Sequence, residues 1–182
     1  KRQVLDPRRT MTAEQGDLHL ALKPGSDVTL WNGLCRYLLD VDGWDKAYVA
    51  QHVSGFEALA GALDDPAWQL DEVARSCGLS RSDLLGFYQL FARTPKTVTL
   101  FCQGINQSNQ GVDKANAIIN AHLMCGRIGK PGAAPFSMTG QPNAMGGREV
   151  GGLATQLAAH MGFGEAECCL LYTSPSPRDA PL

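Results

Sequence analysis

Apolar positions in this chain follow two periods. Gln3 to Asp6 reads as the end of a strand, closed by Pro7-Arg8-Arg9-Thr10. Leu18, Leu20 and Leu22 alternate with His19 and Ala21, the period of a second short strand. Between them Thr12 and Gln15 have capping-box spacing over one helical turn. Pro24-Gly25-Ser26-Asp27 then forms a turn. Asp27 is placed as the N-cap of a helix whose apolar stripe is Leu30, Trp31, Leu34, Cys35 and Leu38. The opening pattern is therefore β-turn-β-turn-α.

From Trp44 to Arg93 the spacing becomes helical throughout. Ser54-Gly55-Phe56-Glu57 has the form of a capping box before Phe56, Leu59, Ala60 and Leu63. Leu70 to Cys77 is a helix stopped by Gly78. Ser80 and Asp83 cap the next, which carries Leu84, Leu85, Phe87, Tyr88 and Phe91. The pair has the cadence of a helix-turn-helix. A DNA reader needs basic and amide residues on its second helix. Here that helix offers an apolar run with only Arg81 near its start, which reads as packing.

Thr97 to Phe101 is β-branched and apolar, the pattern of a buried strand. It runs into Cys102-Gln103-Gly104-Ile105-Asn106-Gln107-Ser108-Asn109-Gln110-Gly111, then a helix from Asp113 to Met124. Strand, glycine loop, helix is the arrangement in which α/β proteins hold ligands beyond strand C-termini. The loop is neither G-x-G-x-x-G nor a P-loop. Eight of the twenty glycines lie between Gly126 and Gly152, a long loop of the kind that is usually functional. From Arg148 a helical stripe is predicted through Val150, Leu153, Ala154, Leu157, Ala158 and Met161. The pattern divides the chain into 1–43, a helical segment 44–93, an α/β part 94–164 and a proline-rich tail 165–182. That tail reads as disordered and non-native.

Composition changes little in this picture. Of 182 residues 44% are apolar, net charge is −2, and no run of apolar residues is long enough to span a membrane. Neither a nucleic-acid partner nor a membrane is expected. The segment from Thr94 to His160 carries five basic residues against two acidic, +3, leaving −5 for the remainder. Cys35, Cys77, Cys102, Cys125, Cys168 and Cys169 show no C-x-x-C pair, which favours a reducing compartment. His122 and Cys125, three apart on one helix, read as a core pair, and His160 is read the same way. The chain opens on Lys1 with a strand already under way, so a fragment of a longer protein is expected.

Three loops carry the candidate chemistry. Asp6 follows a strand, where a carboxylate meets a ribose hydroxyl or base edge; taken alone, a strand-to-turn junction capped by Asp and Pro explains it better. Asp27, as cap or free acceptor, suits the N1 and N2 donors of guanine. Gln103 and Gln107 beside Gly104 and Asn106 offer fixed donor–acceptor pairs near a bare backbone. Ser137 to Gly152 adds Gly140, Gln141, Asn143, Met145 and Gly146, and ends at Arg148. That planar fork of donors stands at a predicted helix N-terminus.

In this order the motifs resemble molybdopterin oxidoreductases of the dimethyl-sulfoxide-reductase superfamily. Gly104-Ile105-Asn106-Gln107 and Thr139-Gly140-Gln141-Pro142-Asn143-Ala144-Met145-Gly146-Gly147-Arg148-Glu149-Val150-Gly151 are similar to the assimilatory nitrate reductase catalytic subunit. The resemblance covers roughly Lys1 to Met161. It implies an α/β, parallel-sheet, Rossmann-like region with a helical insertion. It implies molybdenum held by two molybdopterin guanine dinucleotides, and nitrate reduced to nitrite by oxygen-atom transfer. On that resemblance Asp6, Pro7, Arg8, Arg9, Thr10, Gly25, Ser26 and Asp27 meet the guanosine end. Gln103, Gly104, Asn106 and Gln107 approach a pterin. Gly140, Gln141, Asn143, Met145 and Gly146 complete the cofactor set, and Arg148 holds substrate by the metal. An iron–sulfur cluster is expected upstream, an electron donor (ferredoxin, flavodoxin or an NADH-linked subunit) as partner, and a cytoplasmic location. The competing readings are a periplasmic nitrate reductase, a formate dehydrogenase, a helix-turn-helix regulator, and a binding domain that has lost its chemistry.

Overall fold

A computed structural model describes residues 1–140, 143–152, 157, 161 and 162. Gln141, Pro142, Leu153, Ala154, Ala158, His160, Cys168, Cys169 and the predicted tail lie outside the described residues. The chain forms two compact units, Lys1–Met138 and Thr139–Leu182.

The first unit opens with β1 (Gln3–Leu5), α1 (Met11–Glu14) and β2 (Leu18–Leu20). The two strands are parallel, with Leu5 beside Leu20. Next come α2 (Asp27–Asp40), α3 (Lys46–His52), α4 (Phe56–Ala62), a 3-10 turn (Pro66–Trp68), α5 (Leu70–Cys77) and α6 (Arg81–Arg93). β3 (Val98–Phe101), α7 (Gln103–Asn106), α8 (Gly111–Met124) and β4 (Ala134–Ser137) complete it. β3 and β4 are also parallel, with Phe101 beside Ser137. The expected parallel architecture is present as two separate pairs of strands. Among the described residues no helix is long and apolar enough to cross a membrane.

The core lies where α2 packs on α5, α6 and α8. Leu30, Leu34, Leu38, Val73, Leu84, Tyr88, Ile118 and Ala121 are sealed from solvent there. Gly33 allows the close approach: a Cβ at that position would stand 2.7 Å from both the Tyr88 hydroxyl and Val73 Cγ2. The Tyr88 hydroxyl donates to the Leu30 carbonyl at 2.6 Å, so the one polar group of that ring is satisfied. Phe87 and Phe91 meet Trp31 edge-on at 5.9 and 5.8 Å. The second helix of the helix-turn-helix cadence thus places its aromatic side in the core. Arg81 at its start is paired with Asp71 at 2.6 Å.

Several local expectations are corrected. The cap of α1 is Thr10, whose hydroxyl accepts from the Ala13 N–H, not Thr12. Ser26 occupies the N-cap position of α2 and Asp27 is its first helical residue. α4 starts from Gly55 in the left-handed conformation, where glycine has no Cβ to clash, so Ser54 caps nothing. β3 is only half buried: Val98 and Leu100 point outward at 50% and 61% exposure, because a two-stranded sheet with one covered face leaves alternate side chains open. The glycine-rich stretch read as one loop contains β4, whose pairing partner lies over thirty residues upstream and leaves no local signal.

His122 lies fully buried between Phe91 and Thr99. Its Nε2 is 2.8 Å from the Thr99 hydroxyl, and its Nδ1 has no partner among the described residues. The core reading of this histidine holds, with one ring nitrogen left unsatisfied. Burial, reinforced by the Arg127 charge, pushes its pKa down to about 4 from an ordinary 6.5. Between those values the unfolded chain binds a proton that the folded one refuses, so stability falls as pH drops from 6.5 toward 4. The loss is about 3 kcal/mol over that window. Hydrogen exchange of the α8 region in the full-length protein, corrected for intrinsic rates, is expected to rise across it. His122→Gln should flatten the rise; an unchanged slope in that variant would move the effect elsewhere.

Candidate cofactor-binding site

Parallel strands end at one edge, so Asp6 and the segment after Leu20 leave β1 and β2 on the same side. Asp6 Oδ1 accepts from the Arg8 N–H at 2.8 Å and folds the loop into a turn. The Asp6 carbonyl accepts from His19 Nε2 at 2.8 Å, so that nitrogen carries a proton. Pro7, Arg8 and Arg9 project into solvent, and Thr10 closes the turn as the cap of α1. Across the edge, Gly25 has φ +87 with open space where a side chain would be. Ser26 is turned inward, its hydroxyl donating to the Lys23 carbonyl at 2.6 Å.

Asp27 pairs with Lys114 at 2.7 Å. Lys114 is 5% exposed, a buried ammonium whose charge requires a partner. This pair joins the start of α2 to the first turn of α8, the helix that follows the second loop. Lys114 escaped sequence reasoning, although one signal existed. It stands at helix spacing from Ala117, Ile118 and Ala121, on the apolar stripe where a lysine is out of place.

The second edge carries α7 directly after β3. Gln103, Gly104, Asn106 and Gln107 are all exposed there. Asn106 Nδ2 donates to the Ser137 hydroxyl at 2.7 Å, tying the amide loop to the end of β4. Ser137 was also missed, since nothing local pairs it with Asn106. Position 111, at the start of α8, requires glycine, because a Cβ there would stand 2.7 Å from the Asn106 carbonyl.

In the second unit, α9 spans Ala144–Glu149. Asn143 caps it, Oδ1 accepting from the Gly146 N–H at 3.1 Å. Gly140, Met145 and Arg148 are exposed; Gln141 lies outside the described residues. The expected helix start at Arg148 is corrected: Arg148 sits in the last turn of α9. The helix ends there because Gly151 takes φ +70 and the Gly152 N–H returns to the Gly147 carbonyl at 2.7 Å, a Schellman stop. The stripe predicted to follow is not helical where it is described. The Leu157 N–H bonds the Met161 carbonyl, opposite to the helical direction.

Among the described residues no group of three or more His, Cys, Asp or Glu is placed to hold a metal. The arrangement is instead one of exposed amides, carboxylates and arginines at strand edges, which suits a polar organic ligand.

The Molybdopterin oxidoreductase family matches residues 1–170. A nitrate reductase of Shewanella frigidimarina is 53% identical over 168 residues, 92% of this chain and 18% of that protein. The assimilatory nitrate reductase catalytic subunit of Bacillus subtilis is 32% identical over 86% of this chain and 22% of its own length. Acetylene hydratase from Pelobacter acetylenicus has a similar structure, with TM-score 0.51 and 27% identity over 68% of this chain and 16% of that one. The chain thus spans about a fifth of such relatives. A family match over nearly its whole length, on parallel strand pairs whose edge loops carry these amides, makes it a member of the molybdopterin oxidoreductase family.

Proposed function

We propose that this chain is part of the catalytic subunit of a cytoplasmic, assimilatory nitrate reductase that works with a bis-molybdopterin guanine dinucleotide molybdenum centre. The observation that carries the substrate is 53% identity to a nitrate reductase over 92% of the chain. Edge geometry supports the cofactor. The amides of Gln103, Asn106 and Gln107 are open to solvent, and open space lies over Gly25 and Gly104 at the C-terminal ends of parallel strands. A flat, polar pterin nucleotide fits such bare backbone and paired donors and acceptors.

When bound, the molybdenum–pterin centre supplies the two-electron chemistry that turns nitrate, two protons and two electrons into nitrite and water. The residues of this chain bind and orient. Asp6 to Thr10, with Gly25 and Asp27, receive the guanosine end; Asp27 does so while holding Lys114. Gln103, Gly104, Asn106 and Gln107 receive a pterin, and Gly140, Gln141, Asn143, Met145 and Gly146 line the remainder. Arg148 grips nitrate through a guanidinium fork and favours charge gathering on its oxygens. An iron–sulfur cluster would be held in another part of the subunit, and a ferredoxin, a flavodoxin or an NADH-linked partner would be the source of electrons.

The test is purification of the full-length protein, with metal and nucleotide analysis and viologen-driven turnover. Molybdenum with two guanine nucleotides per metal, and viologen oxidation dependent on nitrate, is the expected result. Oxidation of formate with no response to nitrate would replace this reading by a formate dehydrogenase. Metal-free protein would leave a binding domain.

A further inference from the structure

Arg127 is a buried charged side chain with no counter-ion among the described residues. α8 ends at Gly126 in the left-handed conformation, and the Arg127 N–H returns to the His122 carbonyl at 3.0 Å. That stop folds Arg127 back into the protein, where it is 2% exposed. Its Cζ lies 4.1 Å from the centre of the Phe91 ring. Nη2 donates to the Thr94 carbonyl at 2.8 Å and also to the Phe91 carbonyl. Nε and Nη1 have no hydrogen-bond partner among the described residues. Burying a guanidinium this way is unfavourable, so proteins supply an anion or further acceptors. Lys114, the other buried cation among the described residues, has its carboxylate in Asp27.

Beside Arg127 lies a cavity of about 380 Å³, whose walls include Trp44, Asp45, Arg93, Pro95 and Cys125. Arg93 has no ion pair among the described residues, so the walls bring two cations against one carboxylate. That carboxylate is already engaged: Asp45 accepts from the Tyr48 N–H at 2.9 Å and lies 3.6 Å from Lys130 Nζ. Gly126 also abuts Asp45, and a Cβ there would stand 2.6 Å from Oδ2.

We propose that this cavity is an oxyanion pocket, in which a carboxylate or small inorganic oxyanion accepts from the unpaired donors of Arg127 with Arg93 as the second cation. Both donors are shielded from bulk water, so the ligand is taken up with a shift of the guanidinium toward the cavity. The proposal does not depend on the substrate assigned above, and its readouts are independent of turnover. The oxyanion comes either from solution or from an acidic side chain in the remainder of the full-length enzyme.

The test uses full-length protein. Its melting temperature is followed against added sulfate at constant ionic strength set with chloride, and its crystal structure is determined with and without sulfate. A solution anion gives a saturable rise of several degrees that Arg127→Gln and Arg93→Gln each abolish. An internal carboxylate gives no rise, and the structure then places its oxygen within hydrogen-bond distance of Arg127 Nε or Nη1. Where Arg127→Gln fails to fold, Arg93→Gln carries the comparison. Water alone on both donors, or Asp45 swung onto the guanidinium, overturns the proposal. So does an adventitious ion only, seen in the crystal without an arginine-dependent melting response.

Discussion

Replacing Arg148 by alanine in the full-length enzyme should lower kcat for nitrate by about 10²–10³-fold, while molybdenum content stays at the parent level. The proposed role is charge stabilisation by a planar fork, which alanine removes entirely. Lysine keeps the charge but not the paired geometry, so Arg148→Lys should recover only part of the loss. The surrounding turn is built to survive the change. Asn143 caps α9 through the Gly146 N–H, and the Gly152 N–H closes its far end on the Gly147 carbonyl, neither through the Arg148 side chain. Turnover and metal analysis on one preparation separate the outcomes. Normal turnover removes the role; loss of molybdenum would instead make Arg148 a residue that retains the cofactor.

Asp27→Asn should lower the unfolding free energy of the first unit by about 3 kcal/mol, because it leaves the Lys114 ammonium buried without its carboxylate. The estimate is at the low end for a buried pair, since Asp27 is 23% exposed on its side chain and water reaches it. Lys114→Met in the same chain should restore most of the loss by removing the stranded charge. The measurement is urea-dependent hydrogen exchange of α2 and α8 in the full-length protein. Cofactor content of the double variant adds a second reading. A carboxylate that also serves the guanosine loses nucleotide even when stability returns. A double variant as unstable as Asp27→Asn would mean that the pair is not the source of the effect.

Local chemistry was legible where the deciding atoms are close in sequence. The apolar stripe Leu30, Trp31, Leu34, Cys35 and Leu38 lies on the buried face of α2, as its 3.6-residue period requires. Gly78 stops α5 at φ +70 because only a residue without Cβ takes that conformation freely. The strand and the long helix follow one another from Val98 to Met124 as the pattern predicts, but the amide stretch read as a loop between them opens with the short helix α7. Caps were read less well. Thr10, Ser26 and Gly55 hold the positions assigned to Thr12, Asp27 and Ser54. Neighbouring small and polar residues compete for a helix end on similar terms. The helix start placed at Arg148 is wrong because Arg148 lies in the last turn of α9, which Gly151 and Gly152 close.

The sequence by itself determined the longer helices α2, α5, α6 and α8, the order of the loops and the family, since each depends on residues within a few positions or on motifs with fixed spacing. Only the tertiary structure decided that Ala134–Ser137 is a strand beside Val98–Phe101. It alone decided that Asp27 is held by Lys114, and that Arg127 is buried with two donors unpaired. Those outcomes join positions tens of residues apart. Burial gives them their energy, by removing the water that would otherwise satisfy each charge and hydrogen bond.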